Sequence, residues 1–214
     1  ERARWEAMFT EPKLADDFQA GVGDWDDTSG FARVDLGDGK FAFQAQPGKA
    51  VARAVNRQPM PAAFQLDMEV QVKFGKASNQ NGFTLHFGRK PVISGTNFSW
   101  GTGYSLAVVD DVANDGLRLS RPELDDKKRI VKPSVQVGQM VTAVDDKPHH
   151  VRVISEGDGK IHVFYDDMSR PVITIDDGAK FQGGDGTFVG ISTGTGVGAT
   201  VNNVTLKAKK AETP

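Results

Sequence analysis

The sequence predicts an all-β fold in which two antiparallel sheets stack as a sandwich, preceded by one short helix. The clearest evidence is the stretch 63–74, where every second residue from Phe64 to Phe74 is apolar and the residues between them are polar. Only an extended strand sends alternate side chains to one face. Further short strands follow at near-regular spacing, separated by glycine and aspartate turns. Such a series, with almost no helix, is typical of a sandwich.

The bulk composition favours one domain and excludes some partners. A chain of 214 residues that is 38% hydrophobic can bury a single sizeable core. Its net charge of -2, from 26 basic and 28 acidic residues, gives no field that would attract nucleic acid or an anionic membrane. No apolar run approaches the roughly 20 residues that span a bilayer. We therefore expect neither nucleic acid binding nor membrane insertion.

The amino-terminal segment carries a helical pattern. Trp5, Met8 and Phe9 are spaced at i, i+3 and i+4, which indicates one or two turns of amphipathic helix ending before Pro12. Trp5 is predicted to anchor this helix by packing. We assign residues 1–14 to the helical segment, 15–207 to the sandwich and 208–214 to a loose, charged tail.

The other strands are predicted from apolar stretches bounded by turn residues. Asp38-Gly39 and Gly157-Asp158-Gly159 indicate hairpins, because these residues tolerate the positive φ of tight turns. A charged hairpin is predicted over 121–132 and a long loop over 91–103. The strands are expected at 31–35, 40–45, 50–55, 64–74, 82–89, 104–109, 116–120, 135–143, 149–156, 160–166, 172–176, 186–193 and 200–207.

The loop 91–103 carries large aromatic side chains, which is an unusual use of them. It contains Asn97, Phe98 and Trp100. Loops often carry binding residues, but aromatic side chains also anchor a loop against the edge of a core. Both interpretations of Trp100 stay open at this point.

Several stretches, taken together, resemble the concanavalin A-like lectin/glucanase superfamily, particularly its laminin-G-like bacterial members. They are NGFTLHF at 81–87, GYSL at 103–106, HVRV at 150–153, GKIHVFYD at 159–166, GIS at 190–192 and VNNV at 201–204. The bacterial 3-keto-disaccharide hydrolases are similar in strand order. The resemblance implies a jelly roll with one concave and one convex sheet. Members of the superfamily bind carbohydrate, cleave it or bind other proteins, so the fold does not choose among these functions.

A pair of carboxylates on the strand 64–74 is the candidate for catalysis. Asp67 and Glu69 leave the same face about 6.5 Å apart, which is compatible with the paired carboxylates of glycoside hydrolysis. Sandwich-fold endoglucanases, which this stretch resembles, carry Glu-x-Asp-x-Glu. Gln65 stands at the position of their nucleophile, and an amide cannot form the glycosyl ester. A solvated strand face is the alternative interpretation.

The resemblance also implies one structural Ca²⁺ near the first and last strands. Here the ion would draw on Asp16 or Asp17 and on Asn202, where the superfamily more often has aspartate. Oxygen ligands of this kind suit Ca²⁺. Aspartate is also an ordinary turn residue, because its side chain bonds the nearby backbone.

The sequence thus predicts a carbohydrate-binding, lectin-like module, part of a larger exported protein that is periplasmic or extracellular. An oligo- or polysaccharide would stack on Trp100 or Tyr104, although Tyr104 shares the parity of Leu106 and could face the core. Two alternatives remain: a glycoside hydrolase or 3-keto-disaccharide hydrolase using Asp67 and Glu69, and a laminin-G-type module that binds another protein. The predicted hydrogen-bonding residues are Asn81, His86, Asn97, Gln65, Asp67, Glu69 and Gln71.

Overall fold

The computed structural model describes residues 2–48, 51–75, 82–90, 92–94, 97–110, 115–127, 129–178 and 187–210. One helix, α1 (Arg2–Met8), precedes the strands. The strands are β1 (Phe9–Asp16), β2 (Trp25–Ser29), β3 (Phe31–Gly37), β4 (Lys40–Ala45), β5 (Ala52–Asn56), β6 (Phe64–Phe74), β7 (Phe83–Arg89), β8 (Val92–Ser94), β9 (Asn97–Ser99), β10 (Tyr104–Val109), β11 (Gly116–Leu124), β12 (Ile130–Val141), β13 (Pro148–Ser155), β14 (Lys160–Tyr165), β15 (Ile173–Asp176), β16 (Phe188–Thr193) and β17 (Val197–Lys209).

The strands form two antiparallel sheets, as the sequence predicts. Sheet A has the order β15-β14-β13-β6-β17-β4-β3, with β1 also paired to β17. Sheet B has the order β12-β11-β10-β7-β16-β5-β2. Within the described ranges of the chain, the short strands β8 and β9 pair with each other alone, so the predicted loop 91–103 contains a small ribbon.

The core lies between the sheets and is built from the alternation seen in the sequence. Leu66 and Val70 point inward from β6 of sheet A, and both are essentially inaccessible to solvent. Phe83 and Leu85 meet them from β7 of sheet B. Because every second residue of these strands is buried, the residues between them form the two outer faces of the sandwich. The all-β, two-sheet prediction is confirmed.

The amino-terminal helix ends earlier than predicted. Residues after Met8 form β1, which pairs with β17 beyond the point where β4 stops pairing with it. The unpaired backbone of β17 therefore gives this segment a strand partner, which the helical spacing did not indicate. Trp5 is buried, as predicted, and packs on the outer face of sheet A against Ile154 and Phe164.

The carboxyl-terminal strand is longer than predicted, since β17 continues through Lys209. Ala208 pairs with Phe64, so the first residues assigned to the tail belong to sheet A. The rest of the predicted tail, 211–214, lies outside the described residues. In the part of the chain that the structure describes, the only helix is too short to cross a membrane.

Candidate functional site

The outer face of sheet B carries a line of four polar residues and one glycine that crosses five strands. In the register of the sheet, Gln136 lies beside Ser120, Ser120 beside Ser105, Ser105 beside His86, and His86 beside Gly190. We call these five residues the polar row. Neighbouring strands are about 4.8 Å apart, so the row is about 19 Å long.

A cavity of about 550 Å³ lies over this face. A volume of this size is in the range of small-molecule binding sites. Most of the polar groups that line it are serine and threonine hydroxyls, and the lining comes mainly from five neighbouring strands of sheet B. The lining residues are Val51, Thr84, His86, Trp100, Ser105, Ala107, Val109, Arg118, Ser120, Ser134, Gln136, Ser192, Thr193 and Gly194.

His86 links two serines at the floor of the cavity. Its Nδ1 lies 3.0 Å from Ser105 Oγ and its Nε2 lies 2.9 Å from Ser192 Oγ. Burial, together with the charge of Arg89, holds the pKa of His86 well below its usual range. A neutral imidazole donates through one nitrogen and accepts through the other. One of the two serines therefore donates to the ring and the other accepts from it.

Trp100 covers His86 and contributes apolar surface to the cavity. The two rings are stacked, with centroids 3.7 Å apart and planes 12° from parallel. The indole also lies over Gly190, where an added Cβ would be 2.1 Å from Cζ3 of Trp100. Only a residue without a side chain lets the indole approach the strand this closely. The end of the polar row is thus covered by an aromatic ring.

Arg89 holds the backbone on either side of this arrangement. Its Nη1 donates to the carbonyl of Gly101 at 2.7 Å, its Nε donates to the carbonyl of Tyr104 at 2.9 Å, and its Nη2 donates to Ser105 Oγ. Burial lowers the pKa of Arg89 to about 10, so the guanidinium remains charged at neutral pH. The three bonds fix the segment that follows Trp100 against sheet B.

Tyr104 belongs to the core, and the prediction that it stacks on a ligand is corrected. Only 2% of its surface is exposed, and its ring stacks on Phe87. Its hydroxyl donates to Asp177 Oδ2 at 3.0 Å. The strand parity that Tyr104 shares with Leu106 turns both side chains inward.

The predicted hydrogen-bonding residues do not form one surface. His86 lies in the cavity beside Trp100, whereas Asn81 and the side chain of Asn97 fall outside the described part of the chain. The rest of the set, namely Gln65, Asp67, Glu69 and Gln71, lies on β6 and faces outward from sheet A. The core separates these residues from the cavity, so the sequence-based prediction of a single site is wrong.

The carboxylates of β6 are also poorly arranged for catalysis. Asp67 is 7% exposed and accepts hydrogen bonds from Arg152 Nε at 2.6 Å and from Gln65 Nε2 at 2.7 Å. Burial raises the pKa of Asp67. The hydrogen bond with His150, the charge of Arg152 and the bond from Gln65 together lower it by more than burial raises it, so the net shift is downward. A general acid for glycoside hydrolysis needs a raised pKa.

Glu69 accepts a hydrogen bond from Asn203 Nδ2 at 2.6 Å. Both carboxylates of the predicted catalytic pair are thus engaged by neighbouring side chains on sheet A. The arrangement stabilises the sheet surface and does not present a proton donor and a nucleophile to one bond.

The structure brings two of the three predicted calcium ligands, Asp16 and Asp17, into one pocket, and Asn202 does not line it. Asp16 and Asp17 line a pocket of about 180 Å³ together with Asn203, because a bulge in β17 turns Asn203, and not Asn202, toward them. Asp16 Oδ1 already accepts from the amide of Phe18 at 2.8 Å, and its Oδ2 accepts from the indole of Trp25. Calcium takes about six to eight oxygen ligands. Among the described residues, no three histidine, aspartate or glutamate side chains are placed to hold a metal ion.

Sequence reasoning missed most residues of the polar row. The signal was present, because Ser105 and Ser120 alternate with the core residues Leu106 and Leu119 along their strands. That alternation shows that these side chains face outward. It does not show that β10 and β11 lie beside β7 in sheet B, and this neighbourhood is what creates the row.

Comparisons with solved structures reveal the same fold in lectin domains. The exoplasmic/lumenal domain of VIP36, solved with Ca²⁺ and Man3GlcNAc, is 15% identical with a TM-score of 0.61, over 94% of this chain and 90% of that one. The potassium-bound carbohydrate recognition domain of Emp46p is 15% identical with a TM-score of 0.63, over 96% and 98%. A candidate glycosyl hydrolase from Parabacteroides distasonis is 12% identical with a TM-score of 0.55, over 94% and 100%.

Identities this low show the fold alone, and they confirm the concanavalin A-like architecture that the sequence resemblance implies. No protein-family model matches the chain, and no curated protein matches its sequence.

Proposed function

We propose that this protein is a carbohydrate-binding, lectin-like module whose ligand occupies the cavity over sheet B. The observation that carries the proposal is the polar row, whose last two residues, His86 and Gly190, lie beneath the indole of Trp100. It sets an aromatic surface beside a series of hydroxyl and amide groups on one face of a rigid sheet.

This combination suits the chemistry of a saccharide. A sugar ring has apolar C–H faces that pack on aromatic rings, and hydroxyls that both donate and accept hydrogen bonds. Serine and glutamine side chains also do both. Ser105, Ser120 and Gln136 are regularly spaced along the row, so a ligand several sugar units long could meet one after another.

The neighbours of the same fold support a lectin more than an enzyme. VIP36 was solved with a mannose-containing oligosaccharide, and the Emp46p domain is described as a carbohydrate recognition domain. Glycoside hydrolysis ordinarily takes a pair of carboxylates, and none of the described residues that line the cavity is acidic. Asp67 and Glu69 face outward from the other sheet, so we propose binding without hydrolysis.

The test is a calorimetric titration of a glycan panel into the protein and two variants. Trp100→Ala removes the aromatic surface, and we expect it to weaken binding about tenfold, or ~1.4 kcal/mol. Glu69→Gln alters the sheet A face and is expected to bind like the unchanged protein. Circular dichroism confirms that both variants fold.

Each other outcome rejects the proposal. Turnover of a glycan that is lost in Glu69→Gln would establish the hydrolase alternative. An unchanged glycan affinity in Trp100→Ala would show that the cavity over sheet B is not the binding site. If no glycan binds, the alternative of a module that binds another protein takes its place, and that alternative predicts a partner in affinity purification.

Calcium is varied in the same titration, because the VIP36 domain was solved with this ion. Our proposal assigns sugar binding to the polar row and Trp100, and Asp16, Asp17 and Asn202 take no part in it. We therefore expect equal affinities with Ca²⁺ and with a chelator. An affinity that requires Ca²⁺ would contradict this assignment.

We also propose that the protein is exported to the periplasm or the cell exterior as part of a larger protein. A lectin meets polysaccharide there, and the VIP36 domain of the same fold is exoplasmic/lumenal. Fractionation of the source cells followed by immunoblotting tests the location and the size of the whole protein. Recovery in the cytoplasmic fraction would contradict this location.

A further inference from the structure

We propose that the saccharide bound in the sheet B cavity is anionic, carrying uronate carboxylates or sulfate esters, and that Arg118 binds its negative groups. This inference rests on the proposed function and names the class of its ligand. It follows from the charges on the lining of the cavity and from the placement of arginine on the outer face of sheet B.

The lining of the cavity has one sign of charge. Of its described residues, only Arg118 and His86 have side chains that can carry a positive charge, and none is acidic. His86 is held neutral by its burial and by the charge of Arg89. The formal charge of the described lining therefore comes from Arg118 alone, and it is positive.

Two more arginines lie on the same face of the sheet. A second line of residues crosses the sheet beside the polar row, with each residue paired to the next. It runs, in order, through Arg118, Ala107, Thr84, Ser192 and Arg53. Arg118 and Arg53 are thus four strand spacings apart, or about 19 Å. Arg89 lies next to the polar row and donates to Ser105 Oγ. Arg53 lies beyond one Debye length from Arg118, which is about 10 Å at 0.1 M salt, so the two would meet different parts of a ligand that crosses the face.

Arginine is well suited to the groups named in the proposal. Its planar guanidinium presents five N–H donors and can bind a carboxylate or a sulfate through two parallel hydrogen bonds. Because it has five donors, Arg118 can keep contacts within the protein and bind a ligand with the remaining donors. The hydroxyls of Ser120, on the same strand as Arg118, and of Thr84, two strands away, also line the cavity and can bond the sugar's own hydroxyls.

The experiment compares matched pairs of ligands on the same sugar backbone, in which one member carries the anionic groups and the other has them esterified or removed. One pair is a galacturonate oligosaccharide and its fully methyl-esterified form. The other is a sulfated galactan oligosaccharide and its desulfated form. Each is titrated into the protein at low and at physiological salt, and into two variants: Arg118→Gln, and Arg170→Gln as the control, because Arg170 is exposed and outside the lining.

We expect at least one anionic ligand to bind about tenfold more tightly than its neutral form, and this advantage to fall as salt rises. Arg118→Gln should remove the advantage, so that the anionic and the neutral form of each pair bind this variant with similar affinities. Arg170→Gln should behave like the unchanged protein. The pair that shows the advantage identifies the ligand as a uronate or a sulfated sugar.

The failures of the two proposals are distinguishable. If the neutral forms bind as tightly as the anionic ones, or if Arg118→Gln keeps the full advantage, the inference of an anionic ligand is overturned while sugar binding stands. An equal loss in Arg118→Gln and Arg170→Gln would mean nonspecific attraction and would also overturn it. If neither member of any pair binds and the wider glycan panel also fails, the proposed function itself is wrong.

Discussion

Gly190 and Trp100 are in direct contact, because a Cβ at position 190 would lie only 2.1 Å from Cζ3 of the indole. The indole occupies the space above the strand that a side chain would otherwise fill. The contact places the ring flat against His86, which is the neighbour of Gly190 in sheet B. The position of the indole in the cavity therefore depends on the absence of a side chain at Gly190, on the strand next to that of His86.

Gly190→Ala is expected to displace Trp100 and to weaken glycan binding about as much as Trp100→Ala does. The added methyl group cannot coexist with the indole in its present position. Calorimetric titration measures the affinity, and tryptophan fluorescence reports the change in the environment of the ring. Gly48→Ala is the matched control, because its Cβ would meet nothing closer than 3.7 Å. Wild-type affinity in Gly190→Ala would show that Trp100 does not need this position to bind sugar.

Arg89→Lys is expected to loosen the segment 100–105 and to reduce the free energy of unfolding by about 2 kcal/mol. A lysine cannot bridge the carbonyls of Gly101 and Tyr104 and the hydroxyl of Ser105 at once, and a buried acceptor without its donor costs roughly 1–3 kcal/mol. Urea denaturation measures the free energy of unfolding, and hydrogen exchange measures the protection of the backbone amides in the segment 100–105. If exchange at Gly101 and Ser105 does not change, Arg89 does not hold this segment in place.

The sequence predicted the strands well because their period is a local property. The prediction for β10, residues 104–109, matches the structure to the residue, and β6 is predicted from its unbroken alternation. The end of α1 was missed because Phe9 fits the helical spacing of Trp5 and Met8 and is also the first residue of β1. Residue spacing alone does not distinguish these two roles.

The site was predicted only in part because it depends on which strands become neighbours. Trp100 and His86 were both identified, but the outward residues of β6 were assigned to the same surface. Alternation shows that a side chain faces outward, and it does so equally for either sheet. The pairing of β7 with β16 joins segments about 100 residues apart, and no local pattern contains that information.

The buried state of His86 predicts how stability varies with pH. Because its folded pKa is depressed, the unfolded chain binds a proton at this histidine more readily than the native protein does. The contribution of His86 to stability is therefore fully present above about pH 6.5, the ordinary pKa of histidine, and is lost as the pH falls below that value. NMR titration of the imidazole should give a midpoint well below that of an ordinary histidine. A titration midpoint near 6.5 would contradict the buried, neutral state.

Asp67 predicts a second effect at lower pH. Its net pKa is lowered in the folded protein, so its stabilising contribution is present above about pH 4 and is lost as the pH falls through the folded value. Asp67→Asn should be less stable than the unchanged protein at pH 7, and the difference should shrink at pH 3. Chemical denaturation at the two pH values measures it. An equal difference at both would mean that the charge of Asp67 has no role.

The most direct test of the account is to map a bound glycan on the ¹⁵N-labelled protein by NMR. We predict that chemical shifts change along the polar row and beside it, at Ser105, Ser120, Gln136 and Ser192 and at the indole of Trp100. The outward residues of β6, including Asp67 and Glu69, should be unaffected. Chemical-shift changes centred on sheet A, without changes in the polar row, would contradict the central claim that the cavity over sheet B is the carbohydrate-binding site.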